Sequence, residues 1–184
     1  MRKLILTLLV AIFLSGCGAD VPKELTLFDF ETDSELDRMH WKCFTMFALS
    51  EEHATHGQKS LKMELYPSEW PGWTPKIAKT DWRGFQALGF DLYNPADENL
   101  KVTLRIDDRE DYPDYPDRYN QAFLLAPGKN RIEVELEELI TSGTQRRLNL
   151  DNIYRVLLFM HRPEGVVTLY LDHVRLFGIE GKKI

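Results

Sequence analysis

The sequence is poor in the residues that carry most recognisable chemistry. It holds two cysteines, Cys17 and Cys43, and five histidines. Two cysteines exclude a small disulfide-stapled scaffold. The histidines and cysteines have no zinc-ligand spacing. There is no Gly-rich phosphate loop and no Ser-His-Asp signature, so the nucleotide-binding and serine-hydrolase motifs are absent. Behind residue 14 no apolar run is long enough to cross a bilayer. Cationic excess is lacking too: the formal net charge is −6, which argues against nucleic acid as a partner and against electrostatic docking on anionic lipid. There is no internal repeat, no low-complexity segment and no long amphipathic helical pattern.

What the chain does have begins at its start. Arg2 and Lys3 precede the apolar run Leu4–Leu14, which is too short for a comfortable span and is followed by small residues, the pattern of a secretory signal. The tetrad Leu14-Ser15-Gly16-Cys17 resembles the lipobox of bacterial lipoproteins. That resemblance implies a lipoprotein signal peptide over residues 1–16, an acylated Cys17 bearing a palmitate-type anchor, and a tether over residues 17–24. The exported domain is then 25–184. Gly18 after the cysteine implies, by the enteric-type sorting rule, lipid anchoring at the outer membrane. With Cys17 lipidated, Cys43 has no disulfide partner in the mature chain. Lying among Trp41, Phe44 and Phe47, it reads as a buried apolar cysteine.

The remaining chain is long enough for one domain with a substantial core. Breakers such as His56-Gly57, Pro71-Gly72, Asn94-Pro95, Pro127-Gly128 and Gly165 recur every eight to fifteen residues. Between them apolar residues alternate with polar ones: Leu61, Met63 and Leu65; Leu88, Phe90 and Leu92; Val102, Leu104 and Ile106; Ile132, Val134 and Leu136. Period two on this scale predicts half-buried antiparallel strands. Further strands are predicted over Tyr154–His161 and Val166–Leu176. In the last, the apolar parity switches from Leu169 and Leu171 to Val174 and Leu176, which predicts a bulge near Asp172-His173. Helical turns are expected only over Glu137–Thr141 and Leu150–Ile153, with Asp151 as a cap of the latter. About eight or nine strands without helices make an all-β jelly-roll sandwich.

The order of several fragments is informative. Phe28-Asp29-Phe30-Glu31 is followed by His56-Gly57-Gln58-Lys59-Ser60-Leu61-Lys62, then Leu88-Gly89-Phe90-Asp91-Leu92-Tyr93-Asn94. Leu125-Ala126-Pro127-Gly128-Lys129-Asn130 comes next, and Leu169-Tyr170-Leu171-Asp172-His173-Val174-Arg175-Leu176 closes the series. This resembles the galactose-binding-like jelly rolls, especially carbohydrate-binding modules of the family 4, 11 and 22 type, over nearly all of residues 25–178. The resemblance implies glycan binding on the concave sheet or an edge loop. It also implies a structural calcium between first and last strands, held by Asp29, Glu31 and Asp172. Carboxylates and carbonyl oxygens suit calcium, while solvent-facing Asp29 and Glu31 and a turn-capping Asp172 would explain the same residues.

Sugar recognition needs flat aromatic faces together with hydroxyl-binding amides, carboxylates and guanidiniums. Three of the four tryptophans, Trp70, Trp73 and Trp82, fall in a Pro-rich stretch. Trp70 and Trp73 are therefore candidate stacking residues, unless the loop folds back and buries them. Arg105 and Asp107 share the non-core face of one strand, with Tyr112, Tyr115, Arg118 and Asn120 following; Asp107 and Arg118 could instead form a structural ion pair. His161 is a further candidate. No catalytic residues are assigned: carboxylates abound, but an acidic domain has them anyway. The expected function is a non-catalytic, membrane-anchored glycan-binding lipoprotein of the cell envelope. The alternative is an envelope scaffold or assembly protein that uses the jelly roll for protein contact.

Overall fold

The computed structural model describes residues 21–40 and 44–178. Cys17 and Cys43, with the signal and lipidation readings, lie outside the described residues. The described chain forms ten strands: β1 (Glu24–Phe28), β2 (Thr45–Ser50), β3 (Ser60–Leu65), β4 (Gly72–Trp73), β5 (Phe85–Asn94), β6 (Leu100–Asp107), β7 (Tyr119–Leu125), β8 (Gly128–Glu135), β9 (Arg155–Phe159) and β10 (Val167–Gly178). The strand count exceeds the expectation because β4 is only two residues long and carries no period. Among the described residues helix is confined to 3-10 turns at Asp33–Arg38, Tyr115–Asp117 and Leu136–Glu138. Leu150–Ile153 forms no helical turn. Asp151 does not cap it; its backbone N–H donates to Asn149 Oδ1 at 3.3 Å.

All pairings are antiparallel and build two sheets. One has the order β2-β3-β10-β5-β8, with β1 also on β10; the other runs β4-β9-β6-β7. The alternating residues read from the sequence line the space between them: Leu61, Met63 and Leu65 of β3, Val102, Leu104 and Ile106 of β6, and Leu88, Phe90 and Leu92 of β5 are buried. Each such side chain contributes about 1.5–3 kcal/mol by leaving water, so this shared seam joins the sheets. The sandwich starts earlier than position 25, since Val21 is packed into the core and Gly178 N–H donates to Lys23 O at 2.8 Å.

The parity switch in β10 is real. Its register on β5 shifts between Asp172 and Arg175, and His173 takes a left-handed φ of 47°. The bulge lets Leu171 and Val174 both face the core, while Asp172 and Arg175 lie on the far side. There Arg175 is buried against Asp91, with Nη2 3.3 Å from Oδ1.

Candidate functional site

The open face of the four-stranded sheet gathers most of the expected binding residues. Alternation along β6 sends Val102, Leu104 and Ile106 inward, and so turns Lys101, Thr103, Arg105 and Asp107 outward. On one side Arg105 pairs in register with Asn120 of β7. On the other it pairs with Leu157 of β9, and Asp107 pairs with Arg155.

Asp107 lies at the centre. Its Oδ1 accepts from Arg105 Nε at 2.8 Å, and its Oδ2 accepts from Arg105 Nη2 and Arg155 Nη1, both at 2.6 Å. The Asp107 side chain is 0% exposed, and each arginine side chain 12%. Asp107 is therefore a positioning residue beneath the face, a correction to its expected role as a ligand contact. Its partner is Arg155 across the strands, together with Arg105, and not Arg118.

Arg155 also lies under aromatic rings. Its guanidinium carbon is 4.3 Å from the Tyr112 ring centroid and 5.1 Å from that of Tyr154, within cation–π range. Tyr112 is 79% exposed, so one ring face is left to solvent. Tyr115 stands exposed on its 3-10 turn. Arg118 Nε donates to Pro113 O at 2.6 Å, which ties the Tyr112 loop to β7. Burial, and next the neighbouring Arg105, hold Arg118 below its ordinary value. Asn120 Nδ2 donates to Ser142 Oγ at 3.3 Å.

The second aromatic group lies at the other end of β9. Trp70 is 52% exposed. Its ring stands edge-on to Phe159 at 5.5 Å and lies 4.4 Å from His161. Its loop is pinned to the strand by Met160 N–H on Pro71 O at 3.0 Å and by Arg162 N–H on Glu69 O at 3.2 Å. From Arg155 to Phe159 the strand rises about 13 Å. The guanidiniums thus gather toward the Tyr112 end, with Arg155 beneath the rings there and Arg105 one row on, and Leu157 and Phe159 lead from them to Trp70.

Trp73 is not part of this surface. It is 3% exposed, its Nε1 donates to Met39 Sδ at 2.9 Å, and its ring packs edge-on to Phe28 at 5.3 Å. In a two-residue strand it takes the core side, while Gly72 takes the open side beside Phe159. Trp82 is fully buried as well, with Nε1 donating to Lys79 O at 2.8 Å.

Arg155, Leu157 and Phe159 were not foreseen as site residues. The signal was present: they share one parity in a strand whose other parity, Val156, Leu158 and Met160, is buried. Apolar residues on both faces hid it.

The carboxylates expected to hold calcium do not fit it. Among the described residues, no three of His, Cys, Asp and Glu form a group able to hold a metal ion. Asp172 Oδ2 accepts from Thr55 N and His56 N at 2.5 and 2.9 Å, and Oδ1 from His173 N at 2.6 Å. Glu31 Oε1 accepts from Gln58 N and Lys59 N at 2.8 and 2.9 Å. Backbone donors thus stand where a cation would need acceptors. Asp29 lies against Glu35, whose Oε1 accepts from Asp29 N at 3.2 Å. Burial, with the Asp29 charge next, pushes the Glu35 carboxyl up.

No family model and no curated protein matches the sequence. Similarity is found among solved structures. An exo-β-agarase aligns with a TM-score of 0.69 at 16% identity, covering 85% of this chain and 25% of that one. A family 11 carbohydrate-binding module from Clostridium thermocellum, in complex with a β-1,3-1,4-mixed-linked tetrasaccharide, aligns with a TM-score of 0.65 at 13% identity, covering 86% of this chain and 98% of that one. The family 11 module of the cellulosomal cellulase Lic26A-Cel5E of the same organism gives 0.62 and 14%, covering 87% and 97%. The chain therefore spans only a quarter of the agarase but nearly the whole of the modules. At these identities the likeness is one of fold: two antiparallel sheets packed as the jelly roll of family 11 carbohydrate-binding modules.

Proposed function

We propose that this protein is a non-catalytic glycan-binding module, exported and held at the bacterial outer membrane by lipid on Cys17. The ligand lies along the open face of the four-stranded sheet. The observation that carries the reading is the arrangement along β9. Trp70 with Phe159, and Tyr112 with Tyr154, offer apolar ring faces at the two ends. Arg118 beside the Tyr112 end, and Arg105 and Asn120 one row further in, offer hydrogen-bond donors for hydroxyl oxygens. Asp107 fixes Arg105 in place, together with the neighbouring Arg155, so little side-chain freedom is lost there on binding. The family 11 module solved with a mixed-linked tetrasaccharide supports a saccharide as the ligand class. A protein-contact scaffold is less well supported, because Arg105, Arg118 and Arg155 break the face into charged and apolar parts instead of one apolar patch.

The test is calorimetric titration of the purified protein with mixed-linked β-glucan, agaro-oligosaccharide and uronate oligomers. Saturable binding to at least one, lost in Trp70→Ala with the melting temperature held, supports the reading. A folded protein that binds none contradicts it. Globomycin-sensitive processing and acyl labelling that disappears in Cys17→Ala check the anchor.

A further inference from the structure

The four-stranded sheet presents charge of one sign. The outward charged residues of β6 and β9 are Lys101, Arg105, Asp107 and Arg155, and Arg118 flanks β7. The one carboxylate among them, Asp107, is 0% exposed and has both oxygens occupied by Arg105 and Arg155. The remaining outward positions of β7 and β9 are Asn120, Ala122, Leu124, Leu157 and Phe159, all uncharged. This cationic strip lies on a protein whose formal net charge is −6, so it runs against the mean.

The nearby loop is acidic: other arginines hold three of its five carboxylates, while Glu110 and Asp114 stand exposed. Arg109 holds Asp111 at 2.7 Å and Asp117 at 3.3 Å. Arg146 holds Asp108 at 2.6 Å and Asp117 at 3.0 Å. Asp114 acts on Arg118, but less strongly than Arg105 and Asp107 do. A guanidinium has five N–H donors. Arg105 spends Nε and Nη2 on Asp107, and Arg155 spends Nη1. Both keep donors to spare, fixed in orientation by the buried carboxylate. On the sheet itself Arg105, Arg118 and Arg155 outnumber the one carboxylate, Asp107, that they gather around. Such a fixed fork matches planar carboxylates and sulfate or phosphate oxygens better than it matches neutral hydroxyls.

We infer that the ligand of this face is an anionic glycan, whose acidic groups are met by Arg105, Arg118 and Arg155 while its sugar rings lie against Trp70 and Tyr112. The inference rests on the glycan-binding reading and narrows it to charged sugars.

The experiment is titration of the purified protein with three length-matched probes: an oligogalacturonate, a sulfated dextran oligomer and a neutral mixed-linked β-glucan oligosaccharide, each at low and high sodium chloride. The expected result is that at least one anionic probe binds about tenfold or more tighter than the neutral one. That preference shrinks with salt, and which anionic probe wins identifies carboxylate or sulfate. Arg118→Gln, which leaves the buried Asp107 pairs intact, reduces the preference; Arg131→Gln on the other sheet does not. Equal or tighter binding of the neutral probe, insensitive to salt and dependent on Trp70, overturns the inference and leaves glycan binding standing. Anionic binding that Arg131→Gln weakens as much as Arg118→Gln overturns it as diffuse attraction. Failure of all three probes removes the glycan reading itself.

Discussion

Arg155 joins the buried and the exposed parts of the site: its Nη1 lies 2.6 Å from Asp107 Oδ2, while its guanidinium carbon lies 4.3 Å from the exposed Tyr112 ring. Removing the carboxylate leaves two largely covered guanidiniums facing each other. Asp107→Ala is therefore expected to cost about 3–5 kcal/mol of stability, the usual penalty for breaking a buried ion pair on one side. Urea unfolding measures it. A loss below 1 kcal/mol would show that the arginines reach water without Asp107.

The two tryptophans of residues 70–73 should behave oppositely. Trp73→Ala empties a core position beside Phe28 and Phe30 and should cost about 3–5 kcal/mol. Trp70→Ala removes a half-exposed ring and should leave the melting temperature nearly unchanged while weakening ligand binding. Thermal melts of both variants decide the point.

Gly72 is needed for the close approach of β4 to β9. A Cβ there would lie 2.3 Å from Leu158 O and 2.6 Å from Phe159 Cα. Gly72→Ala should push β4 away, lower stability by about 1–3 kcal/mol, and displace Trp70 from Phe159. Stability and glycan affinity should therefore fall together, as paired melting and titration of one preparation would show.

His173 makes stability depend on pH. Burial first, then the charges of Arg175 and His56, hold it below its ordinary 6.5, against the opposing pull of Glu24. The unfolded chain then binds the proton more readily than the folded one, so stability is full above pH 6.5 and is lost as pH falls from there through the lower folded-state value. His173→Asn suits the left-handed backbone there and should flatten the stability profile between pH 7 and 5. An unchanged slope would move the effect to another group.

Chelation should leave the fold intact. Because Asp172 and Glu31 accept backbone N–H groups, the melting temperature should be the same in EDTA and in calcium. Asp172→Ala should lower stability by about 1–3 kcal/mol or more, through three orphaned backbone donors and the Thr55 hydroxyl. A melt that drops sharply in EDTA would show that the loop at residues 55–59 turns its carbonyls to a cation.

Much of this fold was legible because period two reports burial directly. Leu61, Leu88, Val102 and Ile132 were placed by alternation, and the parity switch after Leu171 located the bulge. The candidate site was legible where polar residues alternate with core ones, as at Arg105. It was hidden where both parities are apolar, as at Leu157 and Phe159, and where strand length is too short for a pattern, as at Trp73. The carboxylates misled for a different reason. Sequence shows that Asp172 is acidic but not whether carbonyls or N–H groups of residues 55 and 56 turn toward it.

The most direct measurement of the central claim is the affinity of one glycan for three proteins: wild type, Trp70→Ala on the four-stranded sheet, and His53→Ala, whose ring stacks on Tyr93 of the six-stranded sheet at 3.5 Å. Binding that Trp70→Ala weakens about tenfold or more, with His53→Ala equal to wild type, is the result the account predicts. Binding lost in His53→Ala and kept in Trp70→Ala would place the ligand on the opposite sheet and contradict it.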